Sequence, residues 1–137
     1  MTEKEIYIEI AERFIYSCGE NLDKAIDIQE FIGFGTYHAF ESIGGAFNTH
    51  IGQPVPKGHE KKINTFVLNY RRQTITRIPP ERIAALAIIL NAMRNKFLYP
   101  EDTPLGFKAP KQQISLANAR DLTSRVNGVI RALKAAM

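Results

Sequence analysis

The sequence predicts an all-α protein: an up-and-down bundle of four to five helices in one domain spanning residues 1–137. Apolar residues recur at three- and four-residue spacing in five separate stretches. Glycine- and proline-rich segments divide those stretches. Alternating strand patterns are essentially absent, Phe66 to Tyr70 being too short to count as one.

The first helix starts at a capping-box signature, Thr2 with Glu5 three positions on, where a hydroxyl and a carboxylate each satisfy an orphan amide. Its stripe is Ile6, Tyr7, Ile10, Ala11, Phe14, Ile15 and Cys18, and Gly19 is the expected stop. A longer pattern runs from Leu22 to about Ile51 through Ala25, Ile28, Phe31, Ile32, Tyr37, Ala39, Phe40, Ile43 and Phe47. Gly33, Gly35, Gly44 and Gly45 interrupt it, each costing up to ~1 kcal/mol relative to alanine. Either the helix breaks near Gly33 or these positions admit a neighbouring backbone at close range, and close packing is the preferred reading.

Gly52 to Gly58, with Pro54 and Pro56, is a loop. A third helix spans His59 to Arg72 with Ile63, Phe66, Val67 and Tyr70 inward. A basic turn (Arg71, Arg72, Arg77) leads to Pro79-Pro80, a proline-led helix start. The fourth helix, with Ile83, Leu86, Ala87, Ile89, Leu90, Met93 and Phe97, is the most apolar and the expected centre of the core. Pro100 to Gln113 reads as an extended surface loop. Ser115 then caps a last helix with the stripe Leu116, Ala119, Leu122, Val126, Val129, Ile130 and Leu133.

Composition narrows the function classes. With 45% hydrophobic and 23% charged residues the chain fits neither a disordered tail nor a collagen-like fibre. No apolar run approaches the ~18 residues that cross a bilayer. The segment Met1 to Glu5 lacks a signal-peptide pattern, so no membrane association is expected. A single cysteine, Cys18, rules out an internal disulfide framework and fits a reducing cytoplasm. The net charge of +4 hides a division: residues 1–53 hold three basic and nine acidic side chains, net −6, and residues 54–137 hold fifteen and five, net +10. That polarity points to an anionic partner for the second half, to pairing between the halves, or to a solvated basic surface.

Familiar catalytic patterns are missing. His38 and His50 lie twelve apart on one helix, ~18 Å, too far to share an ion, and no His-Glu-x-x-His occurs. His50 is expected near a helix C-terminus and His59 at a loop-to-helix boundary, so neither a metal nor a cofactor is expected. Cys18, at the negative end of a helix dipole, reads as a small core residue with a raised pKa. The glycines form no phosphate loop.

One cluster remains, Met93-Arg94-Asn95-Lys96-Phe97-Leu98-Tyr99-Pro100, at the end of the fourth helix. Arg94 offers a fixed charge and a planar fork suited to phosphate. Its structural alternative is an ion pair with an acidic residue of the first or second helix, such as Glu41, tying the bundle together.

Taken in order, four pieces resemble the HEPN domain family, small helical bundles found beside nucleotidyltransferases and in prokaryotic defence and toxin systems. They are Thr36-Tyr37-His38-Ala39-Phe40-Glu41-Ser42, the loop ending Pro56-Lys57-Gly58-His59, the Arg94-Asn95 pair, and Ser115-Leu116-Ala117-Asn118-Ala119-Arg120. The resemblance implies a homodimer whose Arg94-Asn95 segments face one another across a cleft, with RNA or a nucleotide as ligand and a nucleotidyltransferase-like antitoxin as a further partner. By the same resemblance Arg94 would stabilise phosphate charge, Asn95 would orient it, Tyr99 would stack on a base or donate to phosphate, and Lys96 would add attraction from the rim, while Arg71 and Arg72 are nucleic-acid-binding candidates by their charge alone. The family's ribonuclease motif ends in a histidine, and here Leu98 or Tyr99 stands in its place. An interaction module binding RNA, a nucleotide or a partner protein is therefore the leading expectation. A metal-independent endoribonuclease and a dimeric helical scaffold are the alternatives.

Overall fold

The computed structural model describes residues 1–24, 28–73 and 77–137. These form α1 (Glu3–Leu22), α2 (Gln29–His50), α3 (His59–Arg71) and α4 (Pro80–Leu98), followed by strands β1 (Glu101–Thr103) and β2 (Gly106–Lys108), a short α5 (Pro110–Gln113) and α6 (Leu116–Ala136). The five long helices make an all-α bundle, and no described helix is long and apolar enough to cross a membrane. Ala25 of the expected second-helix stripe lies outside the described residues.

Helix α2, rather than α4, occupies the centre. Of its 22 residues, 16 are buried, and α1, α3, α4 and α6 all pack against it, with α1 also touching α6 and α3 touching α4. By contrast α4 leaves Ile88 and Ile89 exposed. The glycines explain the reversal. Helix α2 runs unbroken through Gly33, and each of the four glycines is where a side chain from another helix presses onto its backbone. A Cβ on Gly33 would lie 2.5 Å from the Phe97 ring of α4, and one on Gly35 would lie 2.8 Å from Cys18 Sγ of α1. Gly44 receives Phe66 of α3, and Gly45 receives Tyr7 of α1. The close approach is therefore of side chains onto the helix, not of a second backbone. Averaged over its length α2 is in fact the more hydrophobic of the two, and its four glycines, read as interruptions, hide that in the sequence.

Around Gly44 the aromatic rings interlock. Phe66 packs against Phe40 and Phe47 with centroids 5.6 Å away in each case, and against Tyr70 at 5.8 Å. Tyr70 Oη donates to the Ile78 carbonyl, fixing the connection into α4. Buried polar pairs set the remaining registers: Thr36 with Thr123 of α6 at 2.9 Å, and Asn69 Nδ2 donating to Asn48 Oδ1 at 3.0 Å. Such pairs favour one packing over its neighbours, although Asn48 Nδ2 stays buried without a partner among the described residues.

The helix starts follow the expected chemistry. Thr2 and Glu5 form the capping box, Pro80 opens α4, and Ser115 Oγ accepts from the Asn118 amide. Three boundaries differ, the first being the start of α2 at Gln29 rather than Leu22. Helix α1 continues past Gly19 to Leu22, because a mid-helix glycine costs only ~1 kcal/mol and Leu22 packs against the core. The segment read as an extended loop holds a hairpin, in which Asp102 pairs with Phe107 and Gly106 takes φ +112°, and then α5. Its strands are three residues long and mostly exposed, so no apolar alternation marks them.

Gly44→Ala should lower stability by about 1–3 kcal/mol, since the new Cβ would meet the Phe66 Cβ at 3.0 Å, an atom that cannot swing aside. Gly128→Ala on α6, where nothing lies within 4 Å, should raise stability by about 0.5–1 kcal/mol. Thermal denaturation of the two variants measures both signs.

Candidate functional site

The groups with the most chemistry gather where α2, the start of α3 and the end of α4 meet, with α1 closing one side. On α2, His38 and Glu41 are separated by three residues and share a face. After α2, Gly52 takes φ +76° and the proline loop returns the chain so that His59 becomes the first residue of α3. Three residues on, Lys62 lies one turn along the same side of α3.

Glu41 organises these groups. Its side chain is 8% exposed, and its two oxygens are divided: His59 Nδ1 lies 2.7 Å from Oε2, and Lys62 Nζ lies 3.3 Å from Oε1. Because a carboxylate accepts only, Nδ1 carries the proton in this hydrogen bond and Nε2 takes no part in it. His38 is packed among rings, 4.4 Å from Phe34, 5.6 Å from Phe14 of α1 and 5.4 Å from His59. Burial pushes the His38 pKa below the ordinary histidine value. Glu41 opposes that shift, while His59, Arg94 and Lys62 add to it. His38 is accordingly neutral at pH 7.

Arg94 reaches this cluster from α4. Leu90 and Phe97, four before and three after it, are both buried, so Arg94 sits on the inward stripe of its helix. Its guanidinium carbon lies 5.8 Å from the Tyr37 ring centroid, a cation–π distance. Its Nε is buried with no hydrogen-bond partner among the described residues. Glu41, the expected ion-pair partner, is instead engaged by His59 and Lys62. Tyr37 itself is fully buried, and its Oη donates to Asn91 Oδ1 at 3.4 Å, while Asn91 Nδ2 donates to Asn64 Oδ1. Burial, reinforced by Glu41, pushes the Tyr37 pKa up to about 12, so the phenol stays protonated and donates only a hydrogen bond.

The other expected site residues lie elsewhere. Asn95 and Lys96 turn away from the inward stripe and are exposed, and Tyr99, in extended conformation just past α4, is 59% exposed. Gln113 Nε2 donates to the Tyr99 carbonyl at 2.8 Å, which secures its backbone and leaves the ring outside. Arg71 ends α3 twelve residues after His59, ~18 Å along the axis, and Arg72 follows it. The fold therefore does not bring Arg71 and Arg72 to Arg94. Cys18 lies within α1 rather than in its last turn, and burial raises its thiol pKa.

Sequence reasoning did not place His38, His59, Lys62 and Tyr37 in the site. The histidine spacing was weighed along one helix, where His38 and His50 are indeed apart; His50 ends α2, exposed, with Lys4 Nζ 3.4 Å from its Nδ1. The pair that matters, His38 and His59, crosses a loop. A usable signal was present in the i, i+3 spacing of His38 and Glu41 and in the place of Arg94 within the Leu90–Phe97 stripe.

Arg94→Met keeps an unbranched stem out to the position of Nε and removes the buried unpartnered donor, together with the guanidinium that faces Tyr37. An unsatisfied buried group costs ~1–3 kcal/mol, so this variant should match or exceed the parent in chemical denaturation. A loss above about 2 kcal/mol would instead mark Arg94 as a structural tie.

No protein-family model, curated protein or solved structure matches this chain.

Proposed function

We propose that the chain is a HEPN-like module that binds the phosphate of RNA or of a nucleotide at the junction of α2, α3 and α4. One observation carries the reading: Arg94 holds a fixed positive charge at the bundle interior without a carboxylate partner among the described residues. Keeping a guanidinium partly desolvated and unpaired is costly, and an anion that completes its hydrogen bonds recovers that cost. Lys62, held by Glu41, adds positive charge from the neighbouring helix, and the protonated Tyr37 keeps the wall of the site uncharged. Asn95, Lys96 and Tyr99 lie outside on the adjoining end of α4, where they suit the remainder of a nucleotide better than its phosphate. The homodimer implied by the resemblance belongs to the same proposal. Exposed Ile88, Ile89 and Leu98 on the helix that carries Arg94 support it.

A second reading, metal-independent RNA cleavage, gains from the two histidines. The histidine missing after Arg94 in the chain has a spatial substitute in His59, whose ring is oriented by Glu41 in the manner of a carboxylate–histidine pair. In that chemistry the ribose 2′-oxygen attacks the adjacent phosphorus, His59 Nε2 takes its proton, and the 5′-oxygen leaves with a proton from water or a neighbouring donor.

Fluorescence anisotropy with a labelled single-stranded RNA and competition by a mononucleotide test the binding reading. Arg94→Met should weaken both ligands by about 10- to 100-fold, the worth of one charge-assisted contact set. Replacing Arg71 and Arg72 by alanine should leave the mononucleotide unaffected and alter only the salt dependence of the longer RNA. Equal losses for both ligands in the Arg71/Arg72 variant would sink the proposed location. Incubation of RNA in EDTA decides the second reading, which requires cleavage that disappears in His59→Ala.

A further inference from the structure

We propose that His38, Glu41 and His59 form a binding site for a first-row divalent transition metal, Zn²⁺ being the best match. One nitrogen from each histidine and one carboxylate oxygen lie within 4.8 Å of one another, the sole such group of three among the described residues. Four-coordinate zinc with ligand bonds of about 2.0–2.1 Å holds its donors ~3.3–3.4 Å apart, and two nitrogens with one oxygen are a catalytic-type set that keeps the fourth position open. The adjustment needed is small and falls on the residue best able to make it. His59 is the first residue of α3, preceded by Gly58, and its side chain is 42% exposed, whereas His38 and Glu41 are fixed on the buried helix.

The hydrogen bonds fit a metal-free form of such a site. His59 Nδ1 and Glu41 Oε2 share a proton across 2.7 Å, and an ion that takes a lone pair from each moves that proton to Nε2 of the neutral ring. Lys62 holds the other oxygen, Oε1, at 3.3 Å and so directs Oε2 toward the histidines, the outer-shell role that orients a ligating carboxylate. His38 is kept neutral by burial, the form in which imidazole ligates. With Lys62 and Arg94 both adding positive charge, the open position is suited to an anion, and a phosphate oxygen is the natural occupant. An ion on His59 Nδ1 leaves the proton on Nε2, so the ring can no longer act as the base that metal-independent cleavage needs. The metal site therefore belongs with the binding reading, yet it stands even where no nucleic acid binds.

The test uses the full chain and the metal alone. After stripping with EDTA and gel filtration, calorimetric titration with Zn²⁺ should show one equivalent bound. Co²⁺ in its place should give the intense visible bands of a four-coordinate ion. His59→Ala, at a half-exposed helix start, should fold as the parent does by circular dichroism and weaken Zn²⁺ binding at least about 100-fold, while His50→Ala should not change it. Glu41→Gln should weaken it comparably. Absence of stoichiometric uptake by the parent would overturn the site, and so would uptake that survives His59→Ala. Neither result depends on whether RNA or a nucleotide binds.

Discussion

Close packing of side chains onto the bare backbone of α2 is the constraint from which the rest of the structure follows. A helix enclosed by four others cannot present a large side chain toward each of them at the usual separation. Glycine at 33, 35, 44 and 45 lets Phe97, Cys18, Phe66 and Tyr7 fill the space a Cβ would occupy. Each glycine weakens the isolated helix by up to ~1 kcal/mol, while burying one large aromatic side chain returns ~1.5–3 kcal/mol. The exchange favours the bundle only when the neighbours are in place, so α2 is helical because of its tertiary surroundings.

That arrangement also decides the character of the site. Placing His38 and Glu41 on the central helix removes them from bulk water, which weakens the charged form of an imidazole and strengthens every hydrogen bond to the carboxylate. The carboxylate is then satisfied from α3 by His59 and Lys62, leaving Arg94 of α4 without its share. One acid facing several bases is an unbalanced interior. Such imbalance is costly in a scaffold and useful in a site that takes up an anion or a metal.

The fold was largely legible in the sequence, and the site only in part. Helix starts at Thr2, Pro80 and Ser115 announce themselves because caps act locally, within one turn. The identity of the central helix does not, since a glycine adds nothing to an apolar stripe and marks a close approach only once the neighbouring side chain is in place. Arg94 was visible as a candidate from residue type and position. Its partners were not, because Glu41 and His59 meet only through the loop that returns α3 onto α2, and contacts across a loop leave no periodic trace. The short hairpin escaped for a related reason: exposed on nearly every residue, it carries no burial pattern to read.

The charge division takes on a narrower meaning once these contacts are known. Among the described residues two lysine–glutamate pairs join the acidic first half to the basic second, Glu12 with Lys134 at 2.9 Å and Glu41 with Lys62 at 3.3 Å. The first is about half exposed, and a pair of that kind contributes ~0–1 kcal/mol. Pairing between the halves therefore leaves most of the +10 of residues 54–137 to solvent or to a ligand. What separates Arg94 from the surface cations is not charge but cost. An exposed lysine or arginine is hydrated and needs no partner, whereas a guanidinium turned inward has given up water on its Nε and gained only the face of Tyr37. An anion placed at Arg94 would therefore recover more than one placed at the more numerous charges outside.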